Sequence, residues 1–113
     1  MSDRELLEMA AKAAGMKLAW YEWNLSGEWG MIRPDATDGK IWNPLISDGD
    51  ALRLAVKLFI SVNFGYCADD APIVTCTSDE LENSVEHCLA PNFAAQTRRA
   101  IVLAAAEIGK AMP

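Results

Sequence analysis

Residues 42–58, Trp-Asn-Pro-Leu-Ile-Ser-Asp-Gly-Asp-Ala-Leu-Arg-Leu-Ala-Val-Lys-Leu, decide the fold of this chain. They indicate the end of a strand, a turn fixed by Pro44, an acidic cap and then an amphipathic helix. Asp48 is the predicted N-cap, and Asp50 lies where the helix dipole favours a negative charge. Because the polar stripe of this helix is narrow, we expect most of the helix to be buried.

The residues before this stretch predict one helix and a tryptophan-rich hairpin. Ser2 and Glu5 have the spacing of a capping box, and apolar residues then recur at helical spacing until Gly15. Glycine readily adopts the left-handed conformation that ends a helix, so the first helix is predicted at residues 3–14. Alternating large side chains predict three short strands, at residues 16–23, 29–33 and 41–42.

The residues after this stretch predict three more strands and a last helix. Alternation and β-branched residues place the strands at residues 61–66, 73–77 and 84–89. In the first of them we expect Val62, Phe64 and Tyr66 to point inward. The last helix is predicted at residues 93–112, and the alanines on its buried side allow close approach to a neighbouring surface. That buried side comprises Thr97, Ile101, Ala104, Ala105, Ile108 and Met112.

The order of these elements, αββ(β)αβββα, indicates an α+β fold in a single domain over residues 1–113. It predicts a largely antiparallel sheet with helices on both faces, which is a three-layer α/β/α sandwich. No apolar run approaches the ~20 residues of a membrane span, so no membrane association is expected. Residues 1–8 lack the basic start and apolar core of a signal peptide, and we therefore expect a cytoplasmic protein.

The net charge of −6 is concentrated in the middle of the chain. Between Lys57 and Arg98 there is no lysine or arginine, whereas six of the 16 acidic residues lie there and the other ten balance the ten lysines and arginines. Such a segment repels phosphate backbones, so we expect no nucleic-acid partner. A protein with a basic surface is the expected partner, and simple solubility is the alternative explanation. The candidate acids for that surface are Asp69, Asp70, Glu80 and Glu82.

The four tryptophans are a second candidate for recognition. All of them lie in or next to the predicted hairpin, at Trp20, Trp23, Trp29 and Trp42. Large rings wedged between a sheet and helices form core, and we expect this role for most of them. Exposed tryptophan favours recognition, so Trp20, Trp23 and Trp29 are kept as candidate interaction residues.

The cysteines and the single histidine do not form a convincing chemical site. Cys67, Cys76 and Cys88 are odd in number and contain no Cys-x-x-Cys pair, which indicates free thiols in a reducing cytoplasm. Pairing of the last two strands about Leu81 predicts Cys76 and Cys88 on one face and His87 on the other, opposite Thr75. Neighbouring residues of a strand point apart, so His87 and Cys88 cannot share a proton.

No residue is expected to be catalytic, to bind a cofactor or to bind a metal. Turn and cap roles explain the aspartate pairs 35/38 and 48/50, which lack the ligand spacing of a calcium loop. The chain contains no glycine-rich phosphate loop and no nucleophile elbow. The Arg98-Arg99 doublet is explained by a solvated face or by ion pairs with the acidic strands. The sequence therefore does not indicate an enzyme.

Two blocks of the chain closely resemble a known family. Residues 42–58 and residues 97–109, Thr-Arg-Arg-Ala-Ile-Val-Leu-Ala-Ala-Ala-Glu-Ile-Gly, are similar to the small phage and prophage proteins grouped as the phage ABA-sandwich domain. Residues 4–15 resemble the start of that family. The resemblance implies an α/β/α sandwich encoded by a bacteriophage or prophage, and it implies no activity. Residues 62–89 match less clearly, so a role specific to this member is expected there.

Two hypotheses for function follow from the sequence. The first is a non-enzymatic protein-binding module with an acidic surface, which modulates a host process during infection. The alternative is a small-ligand binder, for example of a nucleotide, with tryptophans for stacking and Arg33, Arg98 or Arg99 for anion contacts. The sequence leaves open a homodimer formed through an apolar helix face or an edge strand.

Overall fold

The computed structural model describes residues 2–16, 19–22, 29–32 and 41–113, with the side chains of residues 2–16 and 42–113. Its elements follow the predicted order, and their bounds are α1 Asp3–Ala13, β1 Ala19–Glu22, β2 Trp29–Ile32, β3 Ile41–Trp42, α2 Asp48–Leu58, β4 Ser61–Tyr66, β5 Pro72–Thr77, β6 Val85–Cys88 and α3 Phe93–Ala111. The described strands form two antiparallel sheets, the first of order β1-β2-β3 and the second of order β4-β5-β6. The fold is therefore α+β.

Helix α1 begins and ends as the sequence predicts. The Glu5 backbone N–H donates to Ser2 Oγ over 3.2 Å, and the Ser2 hydroxyl also contacts the Glu5 carboxylate. After Ala14 the chain leaves the helix through Gly15, whose φ of 72° lies in the left-handed region. A residue with a Cβ is strained there, so glycine explains the end of the helix.

Helix α3 is the centre of the described structure. It packs along α1 and also contacts α2, β5 and β6. Arg99 is bound to Asp3 at the start of α1, and Lys12 near its end donates to the Met112 carbonyl, each over 3.0 Å. The two helices therefore run in the same direction. The buried face of α3 is wider than predicted, and Met112 is exposed rather than buried; the buried residues are Ala100, Ile101, Val102, Ala104, Ala105, Ala106, Ile108 and Gly109.

The N-cap of α2 is Ser47, and the prediction of Asp48 was wrong. Ser47 has extended backbone angles, and its Oγ accepts the Asp50 N–H over 3.2 Å. Asp48 is already helical, and its exposed carboxylate points to Arg98. Serine and aspartate are both good N-caps, so which of the two neighbours caps the helix depends on the backbone conformation of the preceding turn.

Helix α2 is less buried than expected. Ala51, Leu54 and Ala55 are buried, whereas Leu52 and Val56 are 64% and 68% exposed. One turn separates the two exposed residues, so they extend along the same side of the helix. The prediction of a mostly buried helix was therefore wrong for this side.

The second sheet has a register one residue away from the predicted one. His87 lies opposite Val74, and not opposite Thr75. A shift of one residue moves every side chain of a strand to the other face. His87 consequently shares a face with Cys76, and Cys88 lies on the opposite face, which reverses the predicted arrangement.

The two faces of the second sheet have different surroundings. We call the face that contains Val74 and Cys76 the inner face, because both residues are fully buried and α3 packs over their strand. The other, which we call the open face, presents Ser61, Asn63 and Glu86 to solvent. The prediction that Phe64 and Tyr66 would be buried was wrong: they belong to the inner face, but they are 65% and 76% exposed beyond the edge that the helices cover.

No helix in the part of the chain that the structure describes is long and apolar enough to cross a membrane.

The closest approach of two backbones in the described core occurs at Gly109 of α3. A Cβ at this position would lie 2.0 Å from the backbone carbonyl oxygen of Met9 in α1. We expect Gly109→Ala to lower the free energy of unfolding by about 3 kcal/mol, although alanine is the better helix former by about 1 kcal/mol. Urea denaturation followed by circular dichroism measures the difference.

Gly49→Ala is the matched control, since it makes the same change in α2. A Cβ there meets only the guanidinium of Arg53, at 3.2 Å, and that end of a long side chain can move. We expect this variant to be as stable as the wild type or more stable. Equal losses in the two variants would contradict the packing of α1 on α3.

Candidate functional site

Asp50 is a structural residue that the sequence analysis undervalued. Its side chain is buried, and Oδ2 accepts the Asn43 N–H over 3.0 Å while Oδ1 lies 2.7 Å from Arg53 Nη2. The carboxylate therefore joins the turn before α2 to the first turn of the helix. The spacing of Ser47 and Asp50, which is that of a capping box, is the signal that could have revealed it.

The arginine doublet forms ion pairs within the chain, but with acids of α1 and α2, and the prediction of pairing with the acidic strands was wrong. Arg98 Nε donates to the Leu45 carbonyl over 2.9 Å, and Nη1 lies 2.7 Å from Asp48 Oδ1. Arg99 pairs with Asp3. Because these contacts hold α1, α2 and the turn against α3, both guanidinium groups have a structural role.

Among the tryptophans, only Trp42 has a described side chain. It is buried in the core, which confirms the predicted role for this residue. Trp20 and Trp29 are placed in β1 and β2 by their backbones. Their side chains, and the whole of Trp23, lie outside the described part, as do Arg33 and the pair at positions 35 and 38.

His87 and the cysteines are separated from one another. His87 Nε2 is hydrogen-bonded to Gln96 Oε1 of α3 over 2.5 Å, so the ring joins the sheet to the helix. Cys76 is buried under α3, Cys88 is exposed on the open face, and Cys67 lies in the turn after β4. Among residues 2–16, 19–22, 29–32 and 41–113, no three His, Cys, Asp or Glu side chains lie close enough together to hold a metal ion.

The candidate acids lie at the two ends of the second sheet. Asp69 and Asp70 are in the turn between β4 and β5, and Glu80 and Glu82 are in the connection between β5 and β6. Because β5 has six residues, these ends are roughly 20 Å apart at about 3.3 Å per residue. Glu86 lies between them on the open face. Glu80 and Glu82 line a cavity together with residues of α3, so they border the side of the sheet that this helix covers. The acids are therefore spread over the two ends of the sheet and its open face and do not form a compact cluster.

These acids differ from the acids of the helices in their partners. Asp3, Asp48 and Asp50 each pair with an arginine, and Glu8 and Glu107 pair with bases on their own helices. In the second sheet the six acids are all exposed, and none pairs with a base in the described part of the chain; they are Asp69, Asp70, Asp79, Glu80, Glu82 and Glu86. The negative potential of the described surface is therefore concentrated on this sheet.

The turn that holds Asp69 and Asp70 is internally ordered. The Cys67 thiol donates a hydrogen bond to the Asp69 carboxylate, and the Ala71 N–H donates to the same oxygen. These two donors hold the pKa of Asp69 below its usual value. Asp70 has a φ of 65°, a conformation that aspartate and asparagine tolerate better than most residues. Asp69 is therefore held as a carboxylate at the tip of the hairpin.

An apolar groove lies beside the second sheet, and the sequence analysis did not predict it. It has a volume of about 630 Å³ and runs between α2, the edge strand β4 and the start of α3. Leu52, Phe64 and Phe93 line it, and more than half of each side chain is exposed. Alternation in β4 indicated which face these side chains share, but it could not show where the covering helices end.

The chain has no match among protein-family models, curated proteins or solved structures at the level that would indicate a relationship. Its resemblance to the phage ABA-sandwich proteins therefore remains a prediction.

The buried carboxylate at the start of α2 gives a test of this part of the structure. We expect Asp50→Ala to lower the free energy of unfolding by about 2–3 kcal/mol, because it leaves the Asn43 N–H and the Arg53 guanidinium without their shared partner. Asp48→Ala removes a neighbouring but exposed carboxylate and should cost less than about 1 kcal/mol. Urea denaturation compares them, and similar losses would show that Asp50 is no more important than a surface charge.

The buried thiol predicts a dependence of stability on pH. Burial raises the pKa of Cys76 from 9.0 to about 11, so above pH 9 the unfolded chain loses this proton before the folded chain does. The stabilisation is complete below pH 9 and is lost as the pH rises through 11, by up to about 2–3 kcal/mol. Urea denaturation from pH 8 to 11 should show this decrease in the wild type and in Cys88→Ala, and a smaller one in Cys76→Ala. A decrease that is equally steep in Cys76→Ala would contradict the assignment.

Proposed function

We propose that the protein is a non-enzymatic binding module that docks on a protein with a basic surface through the open face of its second sheet. The observation that carries the proposal is the contrast between the acids of the two regions. Five of the six described helix acids pair with bases and the sixth, Glu5, is bonded to Ser2, whereas the six acids of the second sheet are exposed and unmatched in the described part of the chain. An unmatched charged surface steers a partner of opposite charge and sets its orientation.

The open face has the geometry that such a contact needs. Asn63 and Thr75 lie next to each other on it and offer polar side chains, and the flat sheet between the acidic ends is free of large side chains at Gly65. A partner with basic residues about 20 Å apart could meet both acidic ends while its backbone or side chains contact the polar strands. This chemistry differs from that of a catalytic cleft, which needs convergent titratable groups in a concave site.

The setting of this function is part of the same proposal. The resemblance of residues 42–58 and 97–109 to phage ABA-sandwich proteins supports a bacteriophage or prophage protein that modulates a host process in the bacterial cytoplasm. It also supports a three-layer α/β/α arrangement, as do the element order and the packing of α3 over one face of the second sheet. The alternative of a small-ligand binder needs free arginines, and Arg98 and Arg99 are engaged with Asp48 and Asp3.

A charge-neutralised variant tests the proposal. The substitutions Asp70→Asn, Glu80→Gln, Glu82→Gln and Glu86→Gln remove four charges from the second sheet and retain the size of each side chain. We expect this variant to lose the proteins that the wild type captures from bacterial lysate at low salt and releases at high salt. Capture on immobilised protein, followed by mass spectrometry, identifies them. A captured protein then has to bind the wild type in purified form, with an affinity that falls as salt rises.

The matched control removes the same number of charges from the helices. It carries Asp3→Asn, Glu5→Gln, Glu8→Gln and Glu107→Gln. Glu8 is half-buried and the other three are exposed, and the solvent-accessible ion pairs of Asp3, Glu8 and Glu107 contribute little to stability. The control should retain the captured proteins. Equal loss in both variants would mean that only the net charge matters, and retention in both would reject the second sheet as the docking surface.

A further inference from the structure

Strand β4 is an edge strand that lacks the usual protection against pairing. It is six residues long and contains no charged residue and no proline. The opposite edge, β6, has four residues and carries Glu86. Natural proteins protect exposed edges with charges, prolines, bulges or short strands, because unpaired backbone groups otherwise bind another strand. The contrast between the two edges indicates that β4 has a partner.

The hydrogen bonds of the second sheet show which backbone groups face outward. The Cys67 N–H donates to the Ala71 carbonyl, so residue 67 directs its backbone towards β5. Because successive residues of a strand alternate in direction, residues 61, 63 and 65 also bond to β5. The N–H and C=O groups of Val62, Phe64 and Tyr66 therefore point away from the sheet, and no described residue pairs with them.

The same three residues carry the apolar side chains of β4. Their side chains lie on the inner face, where Phe64 borders the apolar groove beside Leu52 and Phe93. At the start of the strand, Phe59 is 88% exposed. An exposed apolar surface joined to an unpaired edge is typical of an interface in which a strand is added to the sheet.

We propose that β4 pairs with β4 of a second copy of this chain, antiparallel and two-fold symmetric about Phe64. In this register Phe64 lies opposite Phe64 of the second copy, and Val62 lies opposite Tyr66 of the second copy. Every outward N–H and C=O of the three residues then finds a partner. The two second sheets become one six-stranded sheet, and aromatic side chains meet across the axis, where such cross-strand pairs are stabilising.

The charges at the ends of β4 select a second copy in this orientation. Lys57 is exposed just before the strand, and Asp69 and Asp70 are exposed just after it. An antiparallel pair places Lys57 of each copy near Asp69 and Asp70 of the other. A parallel pair would instead bring the two acidic turns together. The strand is thus complementary to itself in one orientation only.

The proposed dimer does not depend on the proposed function. It uses the edge of β4, the inner-face groove and the contact of Lys57 with Asp69 and Asp70, and it leaves Glu80, Glu82 and Glu86 exposed for a partner. Two open faces would lie side by side in one sheet, so a dimer would present two docking surfaces to a partner.

Sedimentation equilibrium of the full chain and three variants tests the dimer. Phe64→Lys places like charges opposite each other on the axis, and we expect it to raise the dimer dissociation constant about tenfold or more. Lys57→Glu should raise it roughly two- to fivefold, because it opposes Asp69 and Asp70 of the second copy. Ile46→Lys makes the same apolar-to-lysine change at an exposed position in the turn before α2, outside the proposed strand pairing, and should leave the constant unchanged. Thermal denaturation confirms that each variant is folded.

Hydrogen exchange of the wild type gives a readout that does not depend on any variant. The amides of Val62, Phe64 and Tyr66 should exchange more slowly as protein concentration rises, whereas those of Asn63 and Gly65 should be protected at every concentration. A wild type that stays monomeric at all concentrations would overturn the proposal. So would a dimer in which Phe64→Lys and Ile46→Lys behave alike, or in which the three outward amides exchange at the same rate in monomer and dimer.

Discussion

The close approach of α1 and α3 at Gly109 is the constraint on which the rest of the described structure depends. Alanines on both helices and the missing Cβ of Gly109 let the two backbones approach to the limit of van der Waals contact. This places α3 close beneath α1, and its other sides remain available for α2 and for the inner face of the second sheet. Arg99 and Lys12 fix the alignment of the two helices at their ends.

The same packing determines where charge remains on the surface. Arg98 and Arg99 lie on α3, which contacts both other helices, so they are used to hold α1 and α2 in place. The second sheet contains no lysine or arginine of its own, and the helices supply its acids with none in the described part of the chain. Its acids consequently stay exposed, and this region has the least neutralised charge of the described surface. Both proposals concern this sheet, one its open face and one its free edge.

Much of the fold could be predicted because local sequence patterns determine where the helices and strands begin and end. Caps, glycines and alternation located every described helix and strand to within a few residues, and the short strand at residues 41–42 was among them. Errors arose where two neighbouring residues were chemically equivalent. They also arose where the alternation of a strand leaves its pairing register undetermined. Ser47 and Asp48 are both good caps, and the turn between β5 and β6 allows two registers that differ by one residue. The candidate acids could be found from composition, but their positions at opposite ends of a sheet could not.

The sequence by itself determined the element order, the middle of the buried stripe of α3 from Ile101 to Ile108, the free thiols and the concentration of negative charge between Lys57 and Arg98. These properties follow from local periodicity and from residue counts, and both can be read from the sequence without any tertiary contact. Only the tertiary structure decided that Asp50 is buried, that His87 faces α3, and that Phe64 and Leu52 are exposed beside an unpaired strand. The physical reason is that burial depends on where the covering elements end, and this is set by contacts between residues far apart in the chain, such as Met9 and Gly109.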